Sequence, residues 1–77
     1  MARKKDTKTI HEALEAEIAK KESALKEARS DQTRAFIGAD IEDMSILSGD
    51  LFDGAVTAEY VINRCRSEFG IDLVNGS

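Results

Sequence analysis

The sequence predicts an all-α fold, either a helical hairpin or a small three-helix arrangement, with a long N-terminal helix. The chain of 77 residues contains no proline and is rich in Ala, Glu and Lys, which are strong helix formers. Apolar residues recur at helical spacing along most of its length. Cys65 has no disulfide partner within the chain, and one Cys with one His cannot complete a structural zinc shell. Stability must therefore come from helix packing or from oligomerisation.

The first predicted helix runs from Thr9 to about residue 37. Thr9 and Glu12 have the spacing of a capping box, in which each side chain satisfies a backbone N–H of the first turn. The apolar residues that follow form one narrow stripe, so most of the helix surface is expected to face solvent. Lys21 falls on this stripe, which predicts a weak point in the seam or a lysine stem lying along its edge.

The length of this helix predicts self-association. A helix over residues 9 to 37 is about 43 Å long at 1.5 Å per residue, and the C-terminal helix covers less than half of it. Part of the stripe, around Ile10, Leu14 and Ile18, is then exposed in a monomer, and exposed apolar seams are usually covered by another chain. The sequence therefore predicts a homo-oligomer, with a dimer favoured. The predicted oligomer interface consists of Ile10, Leu14, Ile18 and Leu25.

The middle of the chain, residues 38 to 56, leaves two alternatives open. Gly38 is either a kink in one long helix or a boundary after which Asp40 caps a new helix. A firmer break is expected at Ser48-Gly49-Asp50, and Asp53-Gly54 gives a further turn signal. The predicted core residues of the middle region are Phe36, Ile37, Ile41, Met44, Leu47, Leu51 and Phe52.

A last helix is predicted over residues 58 to 69, after Thr57 and before a C-terminal stop at Gly70. Its apolar face consists of Ala58, Val61, Ile62, Cys65 and Phe69. Residues 71 to 77 either pack locally or fray. The predicted organisation is a flexible basic N-terminus, residues 1 to 8, followed by a single small helical domain, residues 9 to 77.

Charge is distributed unevenly over the chain, whose formal net charge is −4. Residues 1 to 34 contain nine bases and seven acids, whereas residues 35 to 77 contain two bases and eight acids. Between Ala35 and Asn63 there is no basic residue at all. The sequence therefore predicts an acidic, partner-binding surface in the C-terminal half. Its residues are Asp40, Glu42, Asp43, Asp50 and Asp53.

No catalytic, cofactor-binding or metal-binding residues are predicted. Placing Gly54 sixth in a calcium-binding EF-hand loop puts Gly49 and Leu51 in ligand positions and Tyr60 where a glutamate is needed. His11 is expected to be a solvated surface residue, and Cys65 a buried, inert thiol. Without a phosphate-binding loop, a nucleophile motif or room for an enclosed pocket, the chain is not expected to be an enzyme.

The predicted location is the cytoplasm, without a membrane. The basic start, MARKKDTKT, is not followed by the apolar segment of a signal peptide, and no apolar run approaches about 18 residues.

The function that these features favour is that of a small protein-protein interaction module. The chain would self-associate through its first helix and dock its acidic, apolar half on a larger protein. A protein with a basic surface is one candidate partner, which the chain would inhibit or regulate. The alternative is a nucleic-acid-associated accessory protein of plasmid or phage type, because a basic cluster precedes the first helix. Its candidate nucleic-acid contacts are Arg3, Lys4, Lys5 and Lys8.

Overall fold

The structure, a computed structural model, describes residues 7–74 and confirms the all-α fold. Helix α1 spans Thr7–Glu27, α2 spans Asp31–Asp53 and α3 spans Ala58–Arg64. A π-helical turn, Cys65–Phe69, continues directly from α3. Helices α1 and α2 form an antiparallel hairpin, and α3 packs across one of its sides. No helix within residues 7–74 is long and apolar enough to cross a membrane.

The hairpin turn lies earlier in the chain than predicted. Helix α1 ends at Glu27, so the prediction of one helix to residue 37 is wrong. Ser30 takes an extended backbone conformation, and its hydroxyl oxygen accepts a hydrogen bond from the backbone N–H of Thr33 at 3.1 Å. This N-cap, followed by Asp31 at the positive end of the helix dipole, begins α2. The start of α1 also differs, because Thr7 and Lys8 are already helical and Thr9 lies inside the helix.

Helix α2 is continuous through both of its internal glycines. Neither Gly38 nor Gly49 ends or divides the helix, so the expected break at Ser48-Gly49-Asp50 and the separate helix starting near Asp40 are both wrong. A glycine inside a helix costs only about 1 kcal/mol relative to alanine, which tertiary packing can offset. The predicted turn at Asp53-Gly54 is confirmed: Gly54 has φ of 80° and its N–H bonds to the carbonyl of Leu51.

The hydrophobic core is formed within one chain, mainly where α1 faces α2 and α3. Helix α2 has 23 residues and lies along nearly the whole of α1, which has 21. Ile10 and Leu14 are completely buried and Ile18 is 6% exposed. The prediction that these three residues are exposed in the monomer is therefore wrong, because it assumed that no second long helix was available to cover them.

Phe36 and Phe52 were expected in the core and are exposed instead, at 66% and 77% of their surface. Because α2 is one unbroken helix, its buried stripe is set by Met44, Leu47 and Leu51. At 100° per residue, Phe36 and Phe52 fall roughly 80° to either side of Met44. Of the other predicted core residues, Ile41 packs against the core and Ile37 is half-buried.

The C-terminal part of the core agrees with the sequence prediction. The hydroxyl of Thr57 accepts from the N–H of Tyr60 at 3.1 Å and caps α3. The predicted apolar face packs into the core, and Gly70, with φ of 67°, ends the helical segment. Leu73 is buried, so the tail packs as far as Val74. Residues 75–77 lie outside the described part of the chain.

Candidate interaction surfaces

The side of α2 that points away from α1 carries apolar and acidic residues together, and all of them except half-buried Asp50 are exposed. Phe36, Asp43 and Asp50 recur at seven-residue intervals, which places them in one row along the helix. The neighbouring row, three residues further on, holds Ala39, Ile46 and Asp53. Phe36 is 66% exposed and Ile46 is 57% exposed. We call these six residues the α2 outer face.

The acids of the α2 outer face are not paired with any base in the part of the chain that the structure describes. Within residues 7–74, the ion pairs formed by lysine, arginine and histidine involve none of Asp43, Asp50 and Asp53. The last turn of α2 also contains no basic residue, although helix carbonyl ends carry a partial negative charge. The negative potential of the carboxylates and that of the helix end therefore add at this end of α2.

The structure separates the five residues of the predicted acidic surface. Asp43, Asp50 and Asp53 belong to the α2 outer face, and exposed Glu42 borders it one turn before Ile46. Asp40 faces α1, where its carboxylate lies 3.5 Å from the Nζ of Lys21. Lys21 is 28% exposed in its side chain, so its stem lies at the edge of the seam, which is one of the two predicted outcomes.

A groove with a volume of about 550 Å³ runs between α1 and α2, and none of residues 58–74 lines it. Buried Ile18 and Ser48 form its floor, and its other small lining residues are Ala19, Ser45 and Gly49, which are exposed. The remaining lining residues are larger and polar or aromatic: His11, Glu15, Glu22 and Phe52. We call this feature the α1–α2 groove.

A hydrogen bond between α2 and α1 lies in the α1–α2 groove. The hydroxyl of Ser48, which is 3% exposed, donates a hydrogen bond to the carboxylate of Glu15. The Nε2 of His11 lies 3.9 Å from the same carboxylate, and the His11 and Phe52 rings are tilted with their centroids 5.6 Å apart. His11 is thus half-buried and packed on an aromatic ring, which differs from the solvated residue that the sequence predicts.

Cys65 is buried in the core, as the sequence predicts. Burial raises the pKa of its thiol to about 11, because an apolar environment disfavours the thiolate. The thiol is therefore protonated near neutral pH, and the protonated form is a poor nucleophile.

Arg64, the neighbour of Cys65, is held by two side chains one turn away on either side. Its guanidinium donates to Glu68 at 2.9 Å and to the Tyr60 hydroxyl at 2.6 Å. These hydrogen bonds, with that to Glu68 the larger cause, raise the pKa of Arg64. The half-exposed ring of Tyr60 is thereby engaged within the helix, with the guanidinium carbon 5.6 Å from the ring centroid.

The other predicted site residues are distributed as follows. Leu25, near the end of α1, is half-buried. Lys8 is exposed in the first turn of α1, and Arg3, Lys4 and Lys5 lie outside the described residues. Residues 7–74 contain no group of three or more His, Cys, Asp or Glu side chains that could hold a metal ion.

Sequence reasoning did not find the α1–α2 groove. Its lining combines residues that become neighbours only once the turn at Ser30 is fixed, and that turn was not predicted. The signal that could have found it is the run Ser30-Asp31, an N-cap residue followed by an acid. Comparisons with models of protein families, with curated proteins and with solved structures find no match to this chain.

Proposed function

We propose that this chain is a small, non-enzymatic protein-protein interaction module that docks its α2 outer face on a basic surface of a larger protein and regulates that protein by occupying the surface. The observation that carries the proposal is the exposure of Phe36 and Ile46, on one side of a single continuous helix, among carboxylates that form no ion pair within residues 7–74. Exposed apolar side chains next to charges of one sign are typical of a docking surface.

The size of the α2 outer face suits such a role. A helix of 23 residues is about 35 Å long, and one side of it provides a contact area of the order used by small interfaces. Phe36 and Ile46 would supply the apolar anchors, because aromatic and large aliphatic residues carry much of the energy of protein interfaces. The carboxylates would speed association and select basic partners.

Self-association of the chain remains a prediction. Three of the four residues predicted to form its interface are buried within the single chain and are not available to a second one. Ile10, Leu14 and Ile18 belong to the core of the single chain, so a dimer could use them only after the hairpin opens. The α2 outer face requires no such opening. The proposal therefore rests on α2 and on a different protein as the partner.

The experiment is quantitative affinity capture from the native cell with tagged full-length variants. The wild type is expected to capture a basic protein, and capture should fall steeply as salt concentration rises. Asp43→Asn with Asp50→Asn, and separately Ile46→Ser, should each lower the affinity for that protein by at least about tenfold. Binding of the purified pair is then measured by calorimetry.

The matched control is Glu12→Gln with Glu27→Gln, which removes two exposed acids from α1 and leaves the α2 outer face unchanged. This variant has the same net charge as Asp43→Asn with Asp50→Asn and should bind the partner nearly as well as the wild type. Equal loss of binding in the two double variants would show that net charge alone matters. Salt-independent capture would also contradict the proposal.

A further inference from the structure

We infer that the α1–α2 groove is a second docking site, which takes a short basic amphipathic helix from a partner protein. The site is distinct from the α2 outer face, because it lies between the two long helices and shares none of the six residues of that face. The bound helix would complete a four-helix arrangement around the hairpin.

The hairpin itself shows how a helix is accommodated. An antiparallel helix pair has two grooves, one on each side, and α3 occupies one of them through Ala58, Val61 and Ile62. Within residues 7–74, no helix occupies the other groove. The floor of this second groove is nevertheless continuous with the core, because Ile18 and Ser48 are 6% and 3% exposed.

Small side chains give the groove room for the backbone of a helix. A Cβ atom built on Gly49 meets no atom within 4 Å, and Ser45 and Ala19 line the groove beside it. Interaxial distances between packed helices fall to about 8 Å when the residues at the contact are small. The groove extends from His11 to Glu22 along α1, which corresponds to about 16 Å or three helical turns of an occupant.

Phe52 provides an apolar anchor at one end of the groove. Phe52 is 77% exposed although its ring packs against the ring of His11, and it lines the groove together with Ile18. An incoming leucine or methionine would bury this ring and the adjacent apolar floor together. Burial of one large side chain is worth about 1.5–3 kcal/mol, which supports moderate affinity and not a permanent complex.

The charge of the lining selects a basic occupant. Among residues 7–74, Glu15 and Glu22 line the groove, and no lysine or arginine does. Within residues 7–74, Glu22 forms no ion pair. A second copy of this chain fits less well, because its net charge is −4 and the exposed side of its α2 is acidic. A helix with an apolar ridge flanked by lysines or arginines complements both features of the groove.

The test uses the full chain and a labelled probe peptide of 14 residues, with leucines at positions i, i+3, i+7 and i+10 and flanking lysines. Fluorescence anisotropy should show saturable binding to the wild type. Gly49→Leu fills the groove and should weaken binding by at least about tenfold. Gly38→Leu is the matched control: it makes the same change in the same helix, away from the groove, and should leave affinity within about twofold. Both changes replace glycine by a stronger helix former, so both variants should remain folded by circular dichroism.

Four results would overturn the inference. The first is the absence of binding, or binding that Gly49→Leu leaves unchanged. The second is equal binding of a charge-reversed peptide in which glutamates replace the lysines. The third is loss of peptide binding in the Asp43→Asn, Asp50→Asn variant with retention in Gly49→Leu, which would place the peptide on the α2 outer face. A dimer of the chain that Gly49→Leu dissociates in sedimentation would assign the groove to a second copy and would likewise overturn it.

Discussion

Leu14→Ala is expected to lower the free energy of unfolding by about 2–5 kcal/mol, as large-to-small changes at fully buried sites do. Leu14 is 0% exposed and lies in the core cluster that joins α1 to α2 and α3. A chain of this size has a total stability on the order of 5 kcal/mol, so the variant should be largely unfolded at 37 °C. Urea denaturation followed by circular dichroism measures the change.

Ile46→Ala is the matched control for Leu14→Ala. It shortens an aliphatic side chain by a similar amount, but Ile46 is 57% exposed on α2. Its effect on the free energy of unfolding should stay within about 0.5 kcal/mol, as at most surface sites. If Leu14→Ala left stability and helix content unchanged and altered only the oligomeric state, the single-chain core described above would be wrong.

Leu73→Ala is expected to destabilise the protein by about 2–3 kcal/mol. Leu73 is 5% exposed and packs into the core together with partly buried Ile71 and Val74, although it follows the last helical segment. The loss combines the transfer of the leucine side chain with the cavity that it leaves. In thermal unfolding, the Tm of the variant should be several degrees lower than that of the wild type.

The conservative change Leu73→Met separates packing from other effects at this position. It retains nearly the same apolar volume and should cost less than about 1.5 kcal/mol. A negligible effect of Leu73→Ala would mean that the C-terminal segment frays, which is the alternative that the sequence left open. Equal effects of the alanine and methionine variants would also argue against a packed Leu73.

Local sequence signals predicted the fold class and the C-terminal region well. Thr57 and Gly70 have strong preferences for a helix start and for a left-handed stop, and the structure uses both in these roles. The apolar face from Ala58 to Phe69 could be predicted because its apolar residues recur with a single helical period. Each of these features depends on residues close together in the chain.

The position of the hairpin turn could not be predicted as securely. Gly38 and Gly49 look like stronger breaks than Ser30 by intrinsic propensity, yet both lie inside α2. Pairing of the two long helices buries Met44, Leu47 and Leu51 against α1, and this long-range contribution exceeds the cost of two helical glycines. When the turn is placed too late in the chain, no second long helix is expected, and Ile10, Leu14 and Ile18 are predicted to be covered by a second chain.

The candidate surfaces were predicted only in part. The absence of bases between Ala35 and Asn63 predicts an acidic surface, and all five of its residues lie in α2. That this surface binds a partner stays a prediction. The exposure of Phe36 and Ile46 could be predicted only with the register of α2 known. The pairing of Asp40 with Lys21 could be predicted only with the hairpin known. The same is true of the α1–α2 groove, which combines residues from both helices.

The most direct test of the account is whether one chain closes its own core, because both proposed docking surfaces depend on that hairpin. Isotope-filtered nuclear Overhauser spectroscopy on a mixture of labelled and unlabelled full-length chains detects only contacts between chains. We expect contacts between the side chains of Leu14 or Ile18 and those of Met44 or Leu47 in uniformly labelled protein, and their absence from the filtered spectrum of the mixture. Filtered contacts from these α1 residues to another chain would contradict the account.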